Sequence, residues 1–153
     1  MKRRLLKRTL FAAAALCLCL LLLPGCSAAR RLGIPKGYTE KDEHFDRSDS
    51  QDRTDWCRYR YEDAGPFEKD GKYRKMTAEE IGDVRGYFED FLSWMEIEGR
   101  SEEFDFDPGC VTEGDWVYIR AREGQGPNGK YQDYSVCFFD ADAGVLTYVR
   151  HNI

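Results

Sequence analysis

Residues 77 to 99 limit the fold more than any other stretch of this chain. Thr77 is a good N-cap, and Glu80 stands three residues on, the spacing of a capping box. Ile81, Val84, Phe88, Phe91, Leu92 and Met95 then recur at helical spacing on one face. Asp83, Glu89, Asp90 and Glu96 fall largely off that stripe, and Gly99 is a natural stop. A lone striped helix must bury its apolar face against something else. The rest of the chain supplies strands for that purpose. Residues 56–61 alternate, with Cys57, Tyr59 and Tyr61 on one side. Residues 104–107 alternate up to the turn pair Pro108-Gly109. Residues 116–122 put Val117, Ile119 and Ala121 on one face and Trp116, Tyr118, Arg120 and Arg122 on the other. Asn128-Gly129 is a hairpin signal. Residues 131–139 and 145–151 read as two further strands around a turn at 140–144.

These elements predict an α+β domain: one helix packed on an antiparallel sheet of four to five strands, in the order β-α-β-β-β-β. That order is similar to the cystatin-like fold, by topology alone. Cystatin inhibitors use a Gln-x-Val-x-Gly loop and a Pro-Trp loop. The corresponding places here read Cys110-Val111-Thr112-Glu113-Gly114 and Asp140-Ala141-Asp142-Ala143-Gly144, so the resemblance does not carry inhibitor activity.

The N-terminus speaks to location. Met1 is followed by Lys2, Arg3, Arg4, Lys7 and Arg8, then by an uncharged apolar run from residue 10 to residue 23. This is the layout of a secretory signal, and the run is short for a bilayer-crossing helix, which needs ~20 apolar residues. The run ends Leu23-Pro24-Gly25-Cys26, which resembles the bacterial lipobox. The resemblance implies cleavage before Cys26 and a diacylglycerol on its thiol, leaving the chain anchored to the bacterial membrane with its domain on the extracytoplasmic side. Pro24 departs from the usual residue at that place.

Five of the 23 Lys and Arg residues and none of the 28 Asp and Glu precede Cys26, so the part that follows carries a net charge of −10. Such a body repels polyanions, which excludes nucleic acid as a partner. Residues 26–52 are dominated by charged and small groups and read as a flexible tether, with residues 1–25 as the signal and 53–153 as a single domain.

The exported part has Cys57, Cys110 and Cys137 besides Cys26. Two states fit: a Cys57–Cys110 disulfide with Cys137 left over, or three reduced thiols. Their spacing is unlike a zinc site. Asp140-x-Asp142-x-Gly144 reads as a turn rather than a calcium loop. No catalytic, metal or cofactor constellation emerges. The expectation is a membrane-tethered binding or accessory module, not an enzyme, with the membrane and a protein, peptide or glycan as partners. The alternative is an envelope thiol hydrolase, for which Cys137 and His151 are the residues to test. The candidate binding face is Trp116, Tyr118, Arg120 and Arg122, since aromatic and Arg side chains are enriched at hot spots; the alternative is that these side chains pair with Glu and Asp of neighbouring strands and cover the sheet surface. Trp56, Arg58 and Arg60 repeat its pattern on the first strand.

Overall fold

The computed structural model describes residues 28–45, 53–122 and 133–152. The chain forms two compact units, residues 1–34 and 35–153. In the first, α1 (Ala28–Leu32) ends where Gly33 turns at φ 86° and Ile34 N–H donates to the Ala29 carbonyl at 2.9 Å.

The second unit is α+β, a single antiparallel sheet of six strands with one main helix. Its elements are β1 (Glu40–His44), β2 (Arg53–Arg60), α2 (Gly65–Lys69), β3 (Arg74–Lys75), α3 (Ile81–Ile97), β4 (Trp116–Arg122), β5 (Asp133–Asp140) and β6 (Val145–Asn152). Their order across the sheet is β1-β2-β6-β5-β4-β3. No described helix is long and apolar enough to cross a membrane.

The helix forms as the periodicity predicts. Thr77 and Glu80 make the capping box, a 3-10 turn leads into α3, and Gly99 closes it at φ 70°. Val84, Phe88, Phe91 and Met95 are buried against Trp56, Val117, Val136, Phe138 and Val149 of the sheet. Phe88 is fully buried, stacked on Phe106 at 4.1 Å between ring centroids.

The strands differ from expectation in two ways. Phe104–Asp107 forms no strand. A 3-10 turn precedes it and another follows, and both Phe104 and Phe106 pack into the helix-side core. Its alternation comes from rings that fill gaps beside α3, with no neighbouring strand to pair with. Second, two edge strands are added. Arg74–Lys75 is too short for periodicity to reveal. Glu40–His44 lies in the stretch whose composition reads as a tether, yet it pairs with β2 from Glu40↔Arg60 to His44↔Trp56. An edge strand needs only backbone partners on one side, and charged side chains there are common. Across the sheet, β6 lies between β2 and β5.

The sheet is also buried on both faces at its centre. On the face away from α3, Phe67 of α2 stacks on Phe139 at 4.0 Å and meets Tyr61 at 4.8 Å and Tyr73 at 5.1 Å. Cys57, Tyr59, Leu146 and Tyr148 on this face are likewise buried.

Candidate functional site

Register fixes which side chains share a face. Trp56, Val149, Val136 and Ile119 stand in one row across β2, β6, β5 and β4, and this row faces the helix. The next row, Cys57, Tyr148, Cys137 and Tyr118, faces the other way. Trp116, Tyr118, Arg120 and Arg122 therefore project from the face opposite α3, while Val117 and Ile119 pack beneath it.

Local contacts hold this strip. The Lys75 ammonium lies 5.4 Å over the Trp116 ring, and the Tyr73 ring lies 5.6 Å from Tyr118. The Arg120 guanidinium sits 5.5 Å over Tyr118, and its Nε donates to Ser135 Oγ at 3.2 Å. Arg122 is exposed and stands opposite Asp133, with no ion pair to it among the described residues. Arg150 lies on the same face, between Asp55 and Ser135 in register.

Trp56, Arg58 and Arg60 do not extend the strip, because they occupy the helix side. Trp56 is buried there, stacked on His44 with centroids 3.9 Å apart. The Arg58 guanidinium lies 5.2 Å from the Phe104 ring and 5.5 Å from Trp56. It donates to Asp105 Oδ1 at 2.6 Å and to the Asp105 carbonyl at 3.0 Å. The Arg58 hydrogen bond and charge hold the Asp105 carboxyl below its ordinary range. Arg60 pairs with Glu40 at 3.4 Å.

Arg58 also lines two shallow cavities, of about 400 and 190 Å³. The larger lies along β1 and β2, between Glu40, Asp42 and Arg60. The smaller has Phe106, Phe138 and Thr147 in its lining and Asp105, Asp107 and Asp140 around it. Periodicity gave no sign of either cavity, since the smaller is walled in part by a loop read as a strand and the larger by an edge read as a tether.

Among the described residues no disulfide forms: Cys57 and Cys137 are buried, and Cys110 is half-buried in the smaller cavity. The Cys57–Cys110 disulfide is not formed. Cys57 faces away from the helix beside Tyr148, whereas Cys110 ends a 3-10 turn whose neighbours pack under α3. Burial pushes Cys57 up to about 12 and Cys137 and Cys110 each up to about 11, so all three are protonated at neutral pH. Cys137 and His151 lie on opposite faces of the sheet. His151 pairs in register with Tyr134 and stacks on Trp94 of α3 at 4.5 Å, while Cys137 pairs with Tyr148 on the far side. The backbone layer between them rules out direct proton transfer.

The 140–144 segment is a hairpin turn, with Ala143 N–H donating to Asp140 Oδ1 at 2.8 Å. Gly144 has φ 67°, and a Cβ there would meet the Tyr61 carbonyl at 2.8 Å, so both conformation and space demand glycine. Among the described residues, no group of three His, Cys, Asp or Glu side chains is placed to hold a metal ion. Sequence reasoning passed over Asp115. It is buried and accepts from Thr112 N–H at 3.0 Å, Thr112 Oγ at 2.9 Å and Ala141 N–H at 3.0 Å, joining two turns at the end of the sheet. Cys26 lies outside the described residues. No protein-family model, curated protein sequence or solved structure matches the chain.

Proposed function

We propose that this chain is a lipid-anchored extracytoplasmic binding module, tethered through Cys26, that captures an acidic ligand on the strip formed by Trp116, Tyr118, Arg120 and Arg122. One observation carries the reading. Val117 and Ile119 are committed to the helix-side core, so Trp116, Tyr118, Arg120 and Arg122, which alternate with them along β4, share the opposite face. Arg120 and Arg122 concentrate positive charge on a body whose net charge after Cys26 is −10. A negative ligand is steered to such a place, and the rings supply flat apolar contact beside the guanidinium groups. The basic leader, the apolar run and the Leu23-Pro24-Gly25-Cys26 ending support the anchor.

The test is capture from the native envelope. Arg120→Glu with Arg122→Glu lowers the recovered partner and leaves the melting temperature within a few degrees of wild type. Raising the salt weakens wild-type capture in the same direction. A folded double variant that captures at wild-type strength overturns the binding face. Cys26→Ser abolishes labelling by radioactive palmitate, and labelling that persists in this variant overturns the anchor.

A further inference from the structure

The outer edge of β1 carries a charge pattern that fits itself. β1 ends the sheet on one side, and Glu40, Lys41, Asp42 and His44 are exposed. The opposite edge, β3, has only two residues and offers little backbone for pairing. Two copies of Glu40-Lys41-Asp42-Glu43-His44 laid antiparallel about Asp42 bring Lys41 against Glu43 of the second copy, twice, and Glu40 against His44, twice. Shifting the pairing by one residue in one direction sets Glu40 against Glu43, which offsets the Lys41–Asp42 pairs that it also makes. In the other it sets Lys41 against His44 and Asp42 against Glu43. Parallel in-register pairing sets every charge against its like. The register centred on Asp42 thus makes two Lys–Glu pairs and one acid–acid contact, where each shifted register makes two acid–acid contacts.

We propose that β1 is a docking edge for a second copy of this chain, pairing as antiparallel strands about a two-fold axis at Asp42. The contact is isologous, so one surface serves both partners and the assembly closes at two. Among the described residues no strand lies beyond β1, so the backbone N–H and C=O groups of its outer edge supply the hydrogen bonds, and the charges fix the register. The one like-charged contact, Asp42 against Asp42, is softened because each carboxylate already holds its own His44 Nε2 at 2.8 Å. Within one chain Lys41 Nζ sits 2.7 Å from Glu43 Oε2, so the groups that pair between copies are already aligned on one side of the strand.

The test uses the full chain in detergent, with Asp42→Cys as a trap on the axis. Mild oxidation yields a disulfide-linked dimer with this variant and far less with Glu79→Cys, an exposed control away from the edge. Lys41→Glu and Glu43→Lys are then added separately to the trap and given tags of different size. Each alone cross-links about tenfold less than the parent trap, because like charges now face each other. Mixed, the two cross-link to one another near the parent level, since each pair across the axis again joins opposite charges. The mixture leaves the pair within each chain broken, so this rescue reads the contact between copies alone. Glu43 also accepts from the Tyr59 hydroxyl at 2.5 Å. If Glu43→Lys melts below the assay temperature, mixing Glu40→Lys with His44→Glu asks the same question at the outer pairs. A trap no faster than the control, or mixtures no better than their components, overturns the proposal.

Discussion

A carboxyl group held against a helix–sheet interface resists ionisation, and Asp90 on α3 is such a group. Burial raises its pKa, while the Tyr134 hydroxyl at 2.8 Å and the nearby His151 act in the opposite direction without cancelling that effect. A folded-state pKa above the unfolded one means that the fold favours the neutral acid. The penalty is absent below the unfolded carboxyl range, grows as pH rises through it, and is complete above the folded pKa. Asp90→Asn keeps an acceptor for Tyr134 and removes the charge. Its melting temperature is expected to exceed wild type at neutral pH and to match it at about pH 3, where the wild-type carboxyl is protonated. A lower value at neutral pH would mean that His151 needs the anion. Spacing alone set Asp90 among the solvent-facing acids of the helix, and only the register of β5 reveals that Tyr134 reaches it. Phe88 was legible from the same spacing because it lies mid-stripe, where any partner sheet would bury it. Glu43 contrasts with Asp90. Burial pushes its pKa up, but bonds from Lys41 and Tyr59 together outweigh this and leave it lowered. Its contribution to stability is present above the ordinary carboxyl range and is lost as pH falls through its folded value.

Helix α3 was readable at both ends because its signals are chemical as well as periodic. Thr77 N–H donates to Glu80 Oε2 at 3.0 Å and Thr77 Oγ to the same oxygen at 3.1 Å. Those bonds, the backbone one first, together with Arg74, hold the Glu80 carboxyl below its usual range. Thr77→Ala removes the hydroxyl from the first turn and is expected to cost ~1 kcal/mol in urea unfolding, with an unchanged denaturant slope. A loss below a few tenths would mean that the Glu80–Arg74 pair at 2.8 Å holds the helix start without Thr77. Strands were less legible. Alternation identifies a half-buried segment, and Phe104 and Phe106 are half of such a pattern, but whether a strand results depends on a backbone neighbour that no local pattern encodes. The reverse holds for β1. Its five residues are polar on both sides, so hydrophobic alternation had nothing to register, and its membership of the sheet rests on pairing with β2. The strip on β4 was legible as a face because Val117 and Ile119 mark its inner side. The match between that strip and Trp56-Arg58-Arg60 failed because relative parity between strands is a tertiary property.

At the scale of the whole molecule, the sheet joins chain segments that are far apart in sequence at its centre. β6, the last strand, lies between β2 and β5 and pairs along eight residues with each, from Arg53↔Asn152 to Arg60↔Val145 and from Asp133↔Asn152 to Asp140↔Val145. The centre therefore cannot form until the two ends of the domain meet, whereas the edges β1 and β3 are held from one side only. Local opening is cheapest where one row of hydrogen bonds and little apolar burial must be given up. Hydrogen exchange should accordingly divide the sheet by position rather than by sequence order. Amides of β6, and those of β2 and β5 bonded to it, should exchange slowest, through global unfolding, and should share one free energy of opening. Amides of β3 should exchange fastest among the strands. Inward-facing amides of β1 should lie between, and its outward-facing amides should gain protection as protein concentration rises if copies pair there. Ending the chain after Gly144 removes the central strand and is expected to abolish the cooperative thermal transition. Replacing residues 40–44 with a Gly-Ser segment should lower the melting temperature and leave the transition cooperative. A truncated chain that still melted cooperatively, or β6 amides exchanging as fast as those of β3, would show that β2 and β5 hold the core without the strand between them.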